Sequence, residues 1–63
     1  MIPIFDWLED WDNADLPQYE HEEQLRQACI DYNERYHTRY DPDNTVTQYL
    51  VDKRMRRFRE PID

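Results

Sequence analysis

The sequence predicts an all-α fold: an antiparallel helical hairpin with a short N-terminal helix, completed by homodimerisation. Three observations carry that expectation. The longest stretch without proline, Tyr19 to Tyr40, sets Leu25, Cys29, Tyr32 and Tyr36 at intervals of four, three and four, one stripe of a helix with Ala28 and Tyr40 at its margins. A second stretch, after the turn-forming DPDN of Asp41 to Asn44, sets Thr47, Val51, Met55 and Phe58 at intervals of four, four and three, with Leu50 and Arg54 alongside. Finally, 63 residues make one domain, 1–63, with little interior, and a single cysteine excludes an intrachain disulfide. A second copy of the chain is then the leading way to complete the core.

The first element is expected over about 4–11. Ile4, Leu8 and Trp11 lie four and three apart, Phe5 and Trp7 flank them, and Asp6, Glu9 and Asp10 form an acidic back. Pro3 suits a first turn, where its missing N–H loses no partner. A helix shorter than about 12 residues is marginal in water, so this one must dock. Phe5, Trp7, Leu8 and Trp11 either cover the core of their own fold or enter an apolar groove on another protein.

A connector, DNADLP, follows, because Asn and Asp favour turns and Pro17 restricts Leu16 to extended backbone. The main helix is expected over about 18–40, with Asp15 and Gln18 at the spacing of a capping box and Glu20, Glu22 and Glu23 near the positive end of the helix dipole. Glu22–Arg26 and Asp31–Arg35 are acid-to-base pairs four apart on its solvated side. Ile30 interrupts that side and suggests a second contact surface. Tyr32, Tyr36 and Tyr40 bury large areas while keeping a hydroxyl that needs water or a partner, which suits the rim of an interface.

The last helix is expected over about 45–59, opened by Thr45 and Gln48 at capping-box spacing. A short loop between two helices favours an antiparallel pair. Val46 and Tyr49 then extend beyond what one partner helix covers. Leu25, Cys29, Ile30, Tyr32, Tyr36 and Tyr49 are therefore the candidates for self-association. The helix ends in KRMRRFR, five basic residues in seven, before Pro61. About two of the five complement the negative end of the helix dipole. The rest are expected to pair with acidic residues within or between chains, or with an acidic partner, through Lys53, Arg56, Arg57 and Arg59.

Charge is distributed lengthwise. Eight acidic residues and no Lys or Arg lie between Met1 and Leu25, and the net charge of −7 disfavours binding of the whole chain to nucleic acid or an anionic membrane. No apolar run approaches the roughly 18 residues of a membrane span, and MIPIF is too short for the core of a signal peptide. A cytoplasmic location is expected.

Catalysis has little to build on. There is no Gly and no Ser, which excludes glycine-dependent phosphate loops and serine nucleophiles. His21, Cys29 and His37 lie eight residues apart on one helix, too far to share an ion, and no CxxC or HExxH pattern is present. Cys29 on the apolar stripe reads as an inert small hydrophobe. The chain is expected to be non-enzymatic, with no cofactor and no metal.

Three interaction classes follow: a small homo-oligomeric protein that binds and modulates a larger protein; an acidic mimic of nucleic acid built on Asp6, Glu9, Asp10, Asp12, Asp15, Glu20, Glu22 and Glu23; and a weak nucleic-acid binder using KRMRRFR. In its brevity, its lack of Gly and Ser, its helical centre around YNERYHTRY and its terminal KRMRRFR, the chain resembles the very short accessory proteins of the lambdoid bacteriophage early region. That resemblance implies action on a host component in the bacterial cytoplasm and assigns no functional residue.

Overall fold

Three α-helices follow one another in the computed structural model: α1 (Ile4–Trp11), α2 (Gln18–Tyr36) and α3 (Pro42–Arg59). The structure describes residues 2–59, with side chains described through Arg56. Among these residues there is no strand, and the fold is all-α. Both α1 and α3 pack on α2.

The helix α1 starts after Pro3, whose extended backbone (φ −61°, ψ 149°) makes it the N-cap. Eight residues cannot sustain a helix alone, so docking holds it. Leu8 is buried, and Ile4, Phe5, Trp7 and Trp11 pack around the core. The Trp7 indole N–H donates to the Ala28 carbonyl at 2.9 Å, and the Tyr32 hydroxyl donates to the Ile2 carbonyl at 2.8 Å. Both polar tips of large aromatics are thereby satisfied inside one chain.

The capping box expected at Asp15 and Gln18 does not form. Pro17 is the N-cap and makes no side-chain cap bond, while the Asp15 N–H is taken by the Asn13 side chain at 3.1 Å. Further along, Arg26 pairs with Glu23 at 2.8 Å rather than with Glu22, and it also approaches Asp43 of α3 at 3.8 Å. Arg35 pairs with Asp31 at 3.2 Å as the spacing predicts.

The helix α2 ends four residues before the predicted Tyr40, and Asn33 is the cause. Its Oδ1 accepts from the Thr38 hydroxyl (2.7 Å) and the Tyr40 N–H (3.0 Å), and its Nδ2 donates to the Tyr40 carbonyl (2.8 Å). These bonds fold the backbone back on the last turn. His37, with φ 54° and ψ 44°, occupies the left-handed position that usually takes glycine, in a chain that has none.

The DPDN segment starts α3 instead of merely separating two helices. Asp41 is its N-cap: its carboxylate accepts the Asp43 N–H at 3.1 Å and its carbonyl accepts the Thr45 N–H at 2.8 Å. Pro42 takes the first helical position, where its missing N–H costs nothing. Thr45, expected as a cap, lies a full turn inside and is buried.

The buried face of α3 is also not the predicted one. Thr45, Val46 and Tyr49 are buried and Leu50 packs beside them, whereas Thr47, Val51 and Met55 point outward. Phe58, the fourth member of the predicted stripe, lies outside the described side chains. The core joins Leu8 of α1, Leu25, Ala28 and Cys29 of α2, and Val46 and Tyr49 of α3. Phe5 closes it edge-on against Tyr49, with ring centroids 5.7 Å apart.

Candidate functional site

The most concentrated polar chemistry lies at Asp12, the residue that ends α1. Its carboxylate is 7% exposed and is met by side chains from both of the other helices. Oδ1 meets Nε2 of His21 near the start of α2, and Oδ2 accepts both the Tyr49 hydroxyl at 2.6 Å and the Lys53 ammonium. Burial pushes the Asp12 carboxyl up, but the bonds from Lys53, Tyr49 and His21 outweigh it and hold the group at about 2. Burial and the neighbouring Asp12 charge push the Tyr49 hydroxyl well above the usual tyrosine range.

These shifts define what the cluster does. A carboxylate held that low has no proton to give near neutrality and is a poor base, and a tyrosine held that high stays a donor. The arrangement fastens the end of α1 and the start of α2 to the middle of α3. A shallow, open depression lies elsewhere, lined by Thr38, Arg39 and Tyr40.

Asp12 and His21 were not distinguishable as a site in the sequence. The partners of Asp12 lie 9, 37 and 41 residues away, beyond any local spacing rule. Only the lengthwise separation of acidic and basic residues pointed towards such pairing.

The basic residues of α3 partly meet that acidic end. Lys53 binds Asp12, while Arg56 bonds Glu9 at 3.3 Å and Asp52 at 3.1 Å. Arg57 and Arg59 lie outside the described side chains.

An aromatic seam lies along the C-terminal half of α2, beneath α1. Trp7 meets Tyr32 and Tyr36 edge-on at centroid distances of 5.9 and 6.2 Å, and Arg35 stacks its guanidinium over the Trp7 ring at 5.4 Å. Tyr32 also packs against Tyr36 and Tyr40. Phe5, Trp7, Leu8 and Trp11, the candidate partner-binding residues of α1, therefore all contact their own core, with Leu8 inaccessible.

The candidates for self-association divide in two. Leu25, Cys29, Tyr32 and Tyr49 are buried within a single chain, so in this fold they present no surface to a second copy. For Tyr49 this corrects the predicted register of α3: the ring expected to extend beyond one partner helix fills the core, and its hydroxyl donates to Asp12. Ile30 remains 39% exposed, and Tyr36 is half-buried under Trp7. Val51 and Met55, expected in the hairpin seam, are 51% and 45% exposed.

Cys29 lies in the core, where burial pushes its thiol up and away from the reactive thiolate. Among the described residues no three His, Cys, Asp or Glu side chains are grouped to hold a metal ion, and no helix is long and apolar enough to cross a membrane. No protein-family model matches the chain, and neither a curated protein nor a solved structure does.

Proposed function

We propose that this chain is a non-enzymatic interaction protein, an antiparallel helical hairpin that self-associates and then binds and modulates a larger protein. The reading rests above all on where the apolar side chains are left. Ile30, Tyr40, Val51 and Met55 stay substantially exposed in a molecule with few large side chains to spare, while the polar cluster at Asp12 is engaged internally. Surface of that kind serves binding better than catalysis. The hairpin is supported by the cross-contacts: Arg26 of α2 faces Asp43 at the start of α3, and Asp12 links His21, near the start of α2, to Tyr49 and Lys53 farther along α3. Those contacts run in opposite senses along the two helices.

The phage-like profile sets the proposed location and target, a host protein in the bacterial cytoplasm. Mimicry of nucleic acid is the weaker reading, because Glu9 and Asp12 of the acidic end already face cations of the same chain. A test uses the full chain as bait in nuclease-treated bacterial extract. A stoichiometric protein retained in 0.5 M salt supports the proposal. Retention only at low salt, with displacement by competitor DNA, would assign the mimic instead. Retardation of DNA by the chain itself would assign the nucleic-acid binder.

A further inference from the structure

The outward stripe of α3 is the feature that the described fold leaves unused. Thr47, Val51 and Met55 repeat at intervals of four, so they lie on one line along the helix. They sit opposite the buried residues Thr45, Val46 and Tyr49. The helix α3 thus buries one face in the core and leaves Val51 and Met55 exposed on another.

We infer that this stripe is the self-association surface, and that two copies pair α3 against α3 in antiparallel fashion about a two-fold axis at Val51. The inference rests on the homodimer reading above and names its interface. Three properties of α3 select a second copy of the same helix as the occupant. A two-fold axis at Val51 sets each Val51 against its counterpart and the short Thr47 of one copy against the long Met55 of the other, so that small meets large on both sides. Asp43, whose side chain is 84% exposed, lies at the N-terminal end of the helix; towards the other end Lys53 and Arg56 are engaged within the chain, but Arg54 is exposed and the sequence stays basic to Arg59. Antiparallel pairing brings the acidic end of each copy to the basic end of the other, whereas parallel pairing would set like charges together. Helix dipoles favour the same antiparallel arrangement.

The stripe is short, so the dimer is expected to be weak and exchanging, at the small end of specific interfaces. The surface also differs from the predicted one. Leu25, Cys29, Tyr32 and Tyr49 are enclosed in each protomer and take no part.

Two measurements test this on the full chain. In sedimentation equilibrium over a concentration series, Val51→Glu places two like charges at the axis and should weaken the dimer by about tenfold or more. Its dilute thermal melt should match the wild type, since Val51 is 51% exposed. For orientation, a Cys29→Ala background carries single cysteines. Under mild oxidation Val51→Cys should cross-link to itself, and Thr47→Cys should cross-link with Met55→Cys in a mixture but not with itself. A dimer that persists unchanged in Val51→Glu would overturn the interface and leave the homodimer standing. A wild-type chain that stays monomeric at millimolar concentration would overturn both. Self-linking of Thr47→Cys would overturn the antiparallel arrangement.

Discussion

The two halves of α3 are held in different ways. From Pro42 to Leu50 the helix is anchored by apolar burial: Val46 and Tyr49 enter the core, Thr45 is enclosed, and Asp41 caps the start. Beyond Leu50 the described side chains are largely at the surface. What ties that part to the rest is charge, Lys53 to Asp12 and Arg56 to Glu9. One helix therefore contains a segment whose stability scales with buried area and a segment whose stability depends on pH and salt. Electrostatic attachment alone is weak when exposed, but Asp12 is nearly enclosed, and that makes the middle of α3 the boundary between the two regimes.

The strongest way to break the comparison is at that boundary. Tyr49 belongs to both regimes, since its ring fills the core beside Phe5 and its hydroxyl holds Asp12. Tyr49→Ala should cost about 3–5 kcal/mol from lost aromatic burial, and it also strands a buried carboxylate. In a chain this small that amounts to global unfolding, visible as loss of helical circular dichroism at room temperature. Tyr49→Phe, which keeps the ring, should retain the fold and lose only the charge-linked part. If Tyr49→Ala melted like the wild type, the core assigned to α3 would be wrong.

Next in size is Asp12. Its carboxyl falls from the ordinary 3.8 to about 2 on folding, and a shift of that size is worth on the order of 2 kcal/mol. The folded-state value is the lower one, so the stabilisation is full above about pH 5 and fades as pH falls through 3.8 and then through about 2. Denaturant midpoints measured across that interval should drop for the wild type. Asp12→Ala should start lower at neutral pH and show a shallower acid dependence. An unchanged acid profile in Asp12→Ala would show that other carboxylates carry the transition.

The unequal attachment of α3 also explains what the sequence made legible. Periodicity located three helices, because apolar residues at helical spacing are a local signal, and it put Leu25, Cys29 and Tyr32 on the face of α2 that is buried. It failed on α3, where two stripes coexist. Thr47, Val51 and Met55 form the cleaner pattern, yet Val46 and Tyr49 reach the core, where Tyr49 meets Phe5 and Asp12; Asp41 and Pro42 also start the helix three residues before the expected Thr45. The Asp-Pro pair was read as a stop, although Asp at an N-cap followed by Pro in the first turn is equally a start. Of the Asp12 cluster only the pairing of α3 cations with the acidic end was legible, not which carboxylate would gather Lys53, Tyr49 and His21. One acidic residue among fifteen carries no mark of the distant donors that will enclose it.

His37 offers a smaller effect that sharpens the contrast from the anchored side. It holds a left-handed backbone at the turn that delivers Asp41 to α3, with φ 54°. Glycine removes the steric cost of that conformation but gives up chain entropy on folding, so His37→Gly should gain a net of about 0.5–1 kcal/mol. The gain should appear as a raised melting temperature with unchanged salt dependence. Destabilisation by His37→Gly would mean that the imidazole makes a contact worth more than the backbone relief.

The smallest effect comes from the charge-held side. Arg56 and Glu9 pair at 3.3 Å with both side chains about half exposed (54% and 49%). Arg56→Gln should therefore cost only about 0.2–0.5 kcal/mol at low ionic strength, and nothing measurable in 1 M salt, where the screening length is about 3 Å. Local amide exchange near Arg56 is the more sensitive readout, because a tether this weak changes local opening more than global unfolding. Faster exchange there, with unchanged protection around Val46 and Tyr49, is the expected pattern. Equal acceleration in both halves would mean that α3 opens as one unit, and the division at Leu50 would not hold.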